Sequence, residues 1–140
     1  MELFGLAKIA EIAERYDGES GLLSDPRCYI LYKALGPGLL ESVYEEALCY
    51  ELELRGLYVE RQKQVPVVYK GIHLNTDLRL DLLVEDKVIV ELKSVSEMRD
   101  VFFKQTLTYC RLLNKKLGLL VNFYVEDILQ GAIFRVANGL

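Results

Sequence analysis

The sequence predicts an α/β domain, with the element order helix, three strands, helix, strand and a closing strand. Three observations carry this. After Gly36-Pro37-Gly38, the residues Leu39, Leu40, Val43, Ala47, Leu48 and Leu52 recur at helical spacing up to Arg55-Gly56. Two short apolar segments, Leu78 to Val84 and Val88 to Lys93, are joined by only Glu85-Asp86-Lys87 and read as neighbouring strands. A second helical pattern then leads into the apolar run Leu117 to Tyr124, of the kind buried within a sheet.

A chain of 140 residues and 16.0 kDa fits a single domain, here 1–140, with a helical N-terminal extension over 1–35 and a core over 36–136. With 51% hydrophobic and 27% charged residues, the composition is that of a globular protein, and no apolar run approaches a membrane span. The first residues, Met1 to Ala13, carry Glu2 and Glu11 and lack the features of a secretory signal, so a cytoplasmic protein with no membrane partner is expected.

Cys28, Cys49 and Cys110 fit neither a disulfide framework nor a paired-cysteine metal motif, and read as small buried hydrophobes. His73 is the only histidine, which removes His-rich zinc sites and most histidine-dependent nucleophilic mechanisms. Any metal here would be held by oxygen. A net charge of −4 argues mildly against broad electrostatic affinity for nucleic acid, although a local basic surface can coexist with an acidic total.

Along the chain, a helix is expected from Leu3 to Arg15 and a short one from Asp25-Pro26 through Leu35, because Asp caps well and Pro suits a first helical position. In the helix after Gly38, the acids Glu41, Glu45 and Glu46 read as dipole compensation and solvation, with Glu41 set apart by its place beside the apolar stripe. Val65 to Lys70 reads as an edge strand because of Pro66, and a long strand follows from Ile72 to Glu85. Ser94-Val95-Ser96-Glu97 has the form of a capping box, so the next helix should start just after Lys93 and run to about Asn114. A last strand is expected near Ile128 to Val136.

Pairing of the strands at 72–85 and 88–93 follows from parity. Leu80, Leu82 and Val84 share a face, as do Val88, Val90 and Leu92, and the two faces coincide only if paired positions sum to an even number. The three-residue loop then pairs Val84 with Val88, Leu82 with Val90, and Asp81 with Glu91, and puts Lys93 opposite Arg79. Like charges directly opposed on a sheet repel, and a divalent cation is the simplest reason for such a pair. Asp81 and Glu91 offer the hard oxygen ligands that Mg²⁺ or Mn²⁺ prefers. Lys93 projects from the same strand face as Glu91, as a general base or charge stabiliser requires. Glu41 is a further candidate ligand, directly or through water, and Gln105 on the second helix a candidate for orienting a water or phosphate. A Glu-x-Lys on a strand is more often an exposed ion pair worth about 0–1 kcal/mol; here the opposed acid and the helix that follows set it apart.

Gly38-Leu39-Leu40-Glu41-Ser42-Val43-Tyr44, of the form G-x-x-E-x-x-Y, together with Arg79-Leu80-Asp81-Leu82-Leu83-Val84 and Ile89-Val90-Glu91-Leu92-Lys93, resembles the GxxExxY family. This is a bacterial and archaeal group within the PD-(D/E)XK nuclease-like superfamily, and the resemblance spans about Leu35 to Val136. It implies an α-β-β-β-α-β core, a mixed sheet flanked by helices. It also implies metal ligation by Asp81, Glu91 and Glu41, catalytic roles for Lys93, Glu41 and Gln105, Mg²⁺ as cofactor with Mn²⁺ as substitute, and hydrolysis of nucleic-acid phosphodiesters, DNA favoured. Leu80 stands where the superfamily name has proline, and Tyr32 where family members often carry histidine. A homodimer is an expected assembly, since a second copy would help so small a protein embrace a duplex. The alternative is a catalytically silent module of the same fold, acting by nucleic-acid or protein binding.

Overall fold

The computed structural model describes residues 34–124 and 133–139. The helix expected at Leu3 to Arg15 lies outside the described residues, as do Cys28 and the start of the expected last strand at Ile128; of the helix expected from Asp25 through Leu35, only Ala34 and Leu35 are described, and both are helical. Helix α1 spans Glu41–Leu54, just after Gly36 and Gly38, whose φ of 71° and 96° make the sharp turn that only glycine adopts freely. Its stripe of Tyr44, Leu48 and Leu52 is fully buried. Gly56, at φ 77°, closes the helix in the left-handed conformation usual past a C-terminus.

Five strands form the main sheet in the order β1 (Val59–Gln64), β4 (Arg79–Val84), β5 (Val88–Lys93), β6 (Leu117–Asn122) and β7 (Ile133–Ala137). Only β5 and β6 run parallel. That pairing needs a crossover, which helix α2 (Asp100–Leu112) supplies. The two helices give the sheet two apolar clusters. Tyr44, Leu48 and Leu52 pack with Leu82, Val84, Val90, Leu92, Leu119 and Phe123 in one. Tyr109, Cys110 and Leu113 pack with Val65, Leu80, Leu83 and Ile89 in the other. Fully burying aliphatic side chains of this size contributes about 1.5–3 kcal/mol each, so the central strands are strongly anchored. Leu80 thus leaves the face of Leu82 and Val84 that simple alternation assigns to it.

Several expectations need correction. Strand β1 was not legible, because Val59-Glu-Arg-Gln-Lys-Gln has a single apolar residue; it is an edge strand, where charged side chains are favoured. The stretch read as a strand from Val65 shrinks to β2 (Val68–Tyr69), and the long strand expected from Ile72 to Glu85 splits into β3 (Ile72–His73), which forms a separate two-stranded hairpin with β2, and β4. Pro66 lacks an N–H for a ladder, and Asn75-Thr76-Asp77 favours turns. The capping box does not form either. Helix α2 starts at Asp100 after Arg99 without a side-chain cap, because Ser94 donates its hydroxyl to the Leu39 carbonyl at 2.7 Å. His73 is exposed, and Cys49 and Cys110 are free and buried, as expected of small buried hydrophobes.

Contact between α2 and β6 is close at Gly118, where an added Cβ would meet Thr106 Cγ2 at 2.7 Å and Cys110 Sγ at 3.1 Å. Gly118→Ala is therefore expected to destabilise the protein by about 1–3 kcal/mol through overpacking. Thermal melting checks this, and Thr106→Ser, which removes the colliding methyl, should recover part of the loss.

Candidate active site

The site forms where β4 and β5 stop pairing. Their register is Val84↔Val88, Leu83↔Ile89 and Leu82↔Val90, as parity requires, and it stops short of Asp81 and Glu91. From there side chains take over the bonding. The Asp81 N–H donates to Glu91 Oε1 at 3.0 Å, and the Leu92 N–H donates to Asp81 Oδ2 at 2.8 Å. Each carboxylate is thus held by a backbone amide next to or at the other acid, so both are fixed by the strands themselves. The expected pairing of Lys93 with Arg79 does not occur; Lys93 lies beside Asn122 of β6, and its ammonium stands 4.6 Å from the centre of the Phe102 ring on α2.

Burial decides the electrostatics. Glu91 is only 5% exposed. Loss of hydration pushes its carboxyl up to about 8, with repulsion from Asp81 adding to the rise, while the Asp81 N–H and Lys93 oppose it. Asp81 is also raised, first by burial, against the Leu92 N–H and Lys93. Glu41, the first residue of α1 and half-buried, adds a smaller upward push on both. The structure therefore brings Asp81 and Glu91 together with Lys93 on the same strand, and leaves Glu41 within electrostatic reach. Gln105 is exposed on α2, and its amide donates to the Tyr109 hydroxyl at 2.9 Å.

Among the described residues, no three His, Cys, Asp or Glu side chains converge on one point. A fully protein-built cage is thus not the chemistry on offer. A buried and a half-buried carboxylate side by side are a donor set that suits Mg²⁺, which keeps several waters and binds through one or two carboxylates plus substrate phosphates. The Asp81 N–H engages only the Oε1 oxygen of Glu91. The pair fits a hydrated divalent ion.

Three residues escaped the sequence. Glu45, read as solvated, is buried at 6% exposure and bonded to Gln62. Gln62 sits in a strand whose apolar pattern carries no signal. Tyr109 follows Gln105 at i+4, a spacing that does place two residues on one helix face and was available to be read. Its hydroxyl is raised by burial and then by Glu91, which places it in the field of the site.

Tyr44 explains the turn before Glu41. Its hydroxyl donates to the Gly36 carbonyl at 2.5 Å and accepts from the Leu39 N–H at 3.1 Å, while its ring stacks on Phe123 with centroids 4.3 Å apart. The buried tyrosine therefore staples the turn that starts α1. Tyr44→Phe should cost about 1–3 kcal/mol in a melting experiment, because it leaves two backbone groups without their partner.

A mixed sheet carrying an acid on one strand and Glu-x-Lys on the next, with helices on both faces, defines a nuclease-like α/β protein. Residues 26–136 match the family model of the PD-(D/E)XK nuclease superfamily, and the chain belongs to that superfamily. Its members typically use divalent metal ions. Among solved structures, the chain is similar to an alkaline exonuclease from Laribacter hongkongensis, at 13% identity and a TM-score of 0.44, over 92% of this chain and 76% of that one. No curated protein matches the sequence. Among the described residues, no helix is long and apolar enough to cross a membrane.

Proposed function

We propose that the protein is a divalent-metal-dependent nuclease of the GxxExxY type that hydrolyses nucleic-acid phosphodiesters, DNA foremost, with Mg²⁺ as cofactor and Mn²⁺ as substitute. The observation that carries this reading is the pair Asp81 and Glu91, one half-buried and one buried, two acids held side by side through each other's strand amides. Such an arrangement is costly without a cation, and membership of the superfamily supports the reason for it. DNA and the GxxExxY type rest on the motif resemblance.

In this mechanism Asp81 and Glu91 would hold the ion, with Glu41 as a further ligand, directly or through water. The bound cation would polarise the phosphodiester and acidify a water. Lys93, from the strand face of Glu91, stabilises as an ammonium the negative charge that develops on the phosphate or, as the neutral amine, takes the proton of the attacking water. Gln105 and Tyr109, linked on α2, offer amide and hydroxyl groups for orienting a phosphate.

The test is cleavage of single- and double-stranded DNA and RNA by chelator-stripped protein, with and without Mg²⁺ or Mn²⁺, alongside calorimetric titration of each ion. Metal-dependent cleavage supports the reading. Ion binding without cleavage of any substrate would instead leave a silent binding module of the same fold.

A further inference from the structure

The row of the sheet that holds the two acids has a third member on β1. That strand pairs with β4 at Val59↔Val84, Glu60↔Leu83, Arg61↔Leu82, Lys63↔Leu80 and Gln64↔Arg79. Gln62 therefore stands opposite Asp81, and this position is skipped in the ladder. Its φ is 50°, a left-handed conformation that residues other than glycine rarely take, least of all inside a strand. The turned peptide presents its carbonyl to Arg79 Nη1 at 3.3 Å.

The side chain lies between two acids. Gln62 Nε2 is 3.0 Å from each carboxylate oxygen of Glu45 and 3.3 Å from Asp81 Oδ1. An amide nitrogen carries two protons and accepts nothing, so it serves one carboxylate with each. Glu45 comes from α1, is 6% exposed, and has Arg61 Nε at 3.5 Å as its other partner. A buried carboxylate requires partners, but aiming its partner at a second acid is not required for that. With Leu92 N–H on Oδ2 and Gln62 on Oδ1, both oxygens of Asp81 are held, so the plane of the carboxylate is set.

We infer that Gln62 is a positioning residue that, braced by Glu45, fixes the orientation in which Asp81 presents itself to a divalent cation. The left-handed backbone is the local strain that lets the amide reach both acids, and strain of this kind concentrates at functional sites. Removing a partner that orients a metal ligand typically costs about 10–100-fold in metal affinity or activity. The inference rests on Asp81 being a metal ligand.

Two variants test it, both measured by Mn²⁺ calorimetry and by thermal melting in chelator. Gln62→Met keeps the length of the side chain and the strained backbone but donates nothing; Gln62→Gly relieves the backbone and also donates nothing. Both should lose about 10–100-fold in Mn²⁺ affinity, while the glycine variant melts closer to wild type than the methionine variant. Affinity and stability then sort the variants differently, which a structural brace would not do. Wild-type affinity in either variant, or affinity that follows melting temperature, overturns the inference. Wild-type protein that binds no Mn²⁺ overturns the metal reading and this inference with it, and that result is visible before any variant is made.

Discussion

Lys93→Ala is expected to slow metal-dependent cleavage by about 10²–10³-fold, the usual loss when one group that stabilises transition-state charge is removed. Mn²⁺ affinity should stay the same or tighten once Glu91 is ionised, near pH 8, because the lysine coordinates nothing and its positive charge repels the ion; at lower pH its help in ionising the two acids works the other way. The side chain is poised for this. Its ammonium rests against the Phe102 ring and, among the described residues, is not tied up by a carboxylate. Asp81→Ala should behave differently, losing cation affinity and cleavage together. Single-turnover rates on a nucleic-acid substrate, with calorimetry on the same samples, separate the two roles. Equal cleavage by wild type and both variants would trace the activity to a contaminant and end the assignment.

The second large effect is on stability against pH in the absence of metal. Glu91 titrates near 4.5 when exposed and at about 8 in the folded protein, so between those values the folded state binds a proton that the unfolded state has released. Stability therefore falls as pH rises across this window, on the order of a few kcal/mol for a shift of this size. Above about pH 8 the full cost of the buried charge beside Asp81 is present. Glu91→Gln can still accept from the Asp81 N–H, and should melt higher than wild type at pH 8 in chelator while matching it near pH 4. Added Mg²⁺ or Mn²⁺ should raise the wild-type melting temperature at pH 8 and leave the glutamine variant nearly unmoved. A wild-type protein whose melting temperature is flat from pH 5 to 8 in chelator would contradict this electrostatic account.

Much of the site was legible because its residues lie on regular elements with strong patterns. Parity on two apolar strands placed Asp81 and Glu91 in one row, and the pairs Leu82↔Val90, Leu83↔Ile89 and Val84↔Val88 have that register. The helix at Glu41–Leu54 and the strand at Leu117–Asn122 follow directly from apolar spacing. Where pattern was absent or ambiguous, the reading went astray. Strand β1 has a nearly all-polar sequence, and only the open edge of β4 makes it a strand. Ser94 and Glu97 matched a capping box, yet a tertiary partner, the Leu39 carbonyl, took the serine hydroxyl.

By itself, then, the amino-acid sequence determined the order of the two main helices and of the central strands β4, β5 and β6, the register of the central hairpin and the set of oxygen ligands available for chemistry. These depend on side-chain period and residue type, which are local and survive without knowledge of the fold. The tertiary structure alone decided that the hairpin stops pairing at the two acids, that their amides and carboxylates then bond across the gap, and that Glu45 is buried to brace Gln62 against Asp81. Those outcomes depend on which distant groups come within bonding distance and on how much water is excluded around them. No local pattern encodes either quantity, because both arise only when helix and sheet close over the same charges.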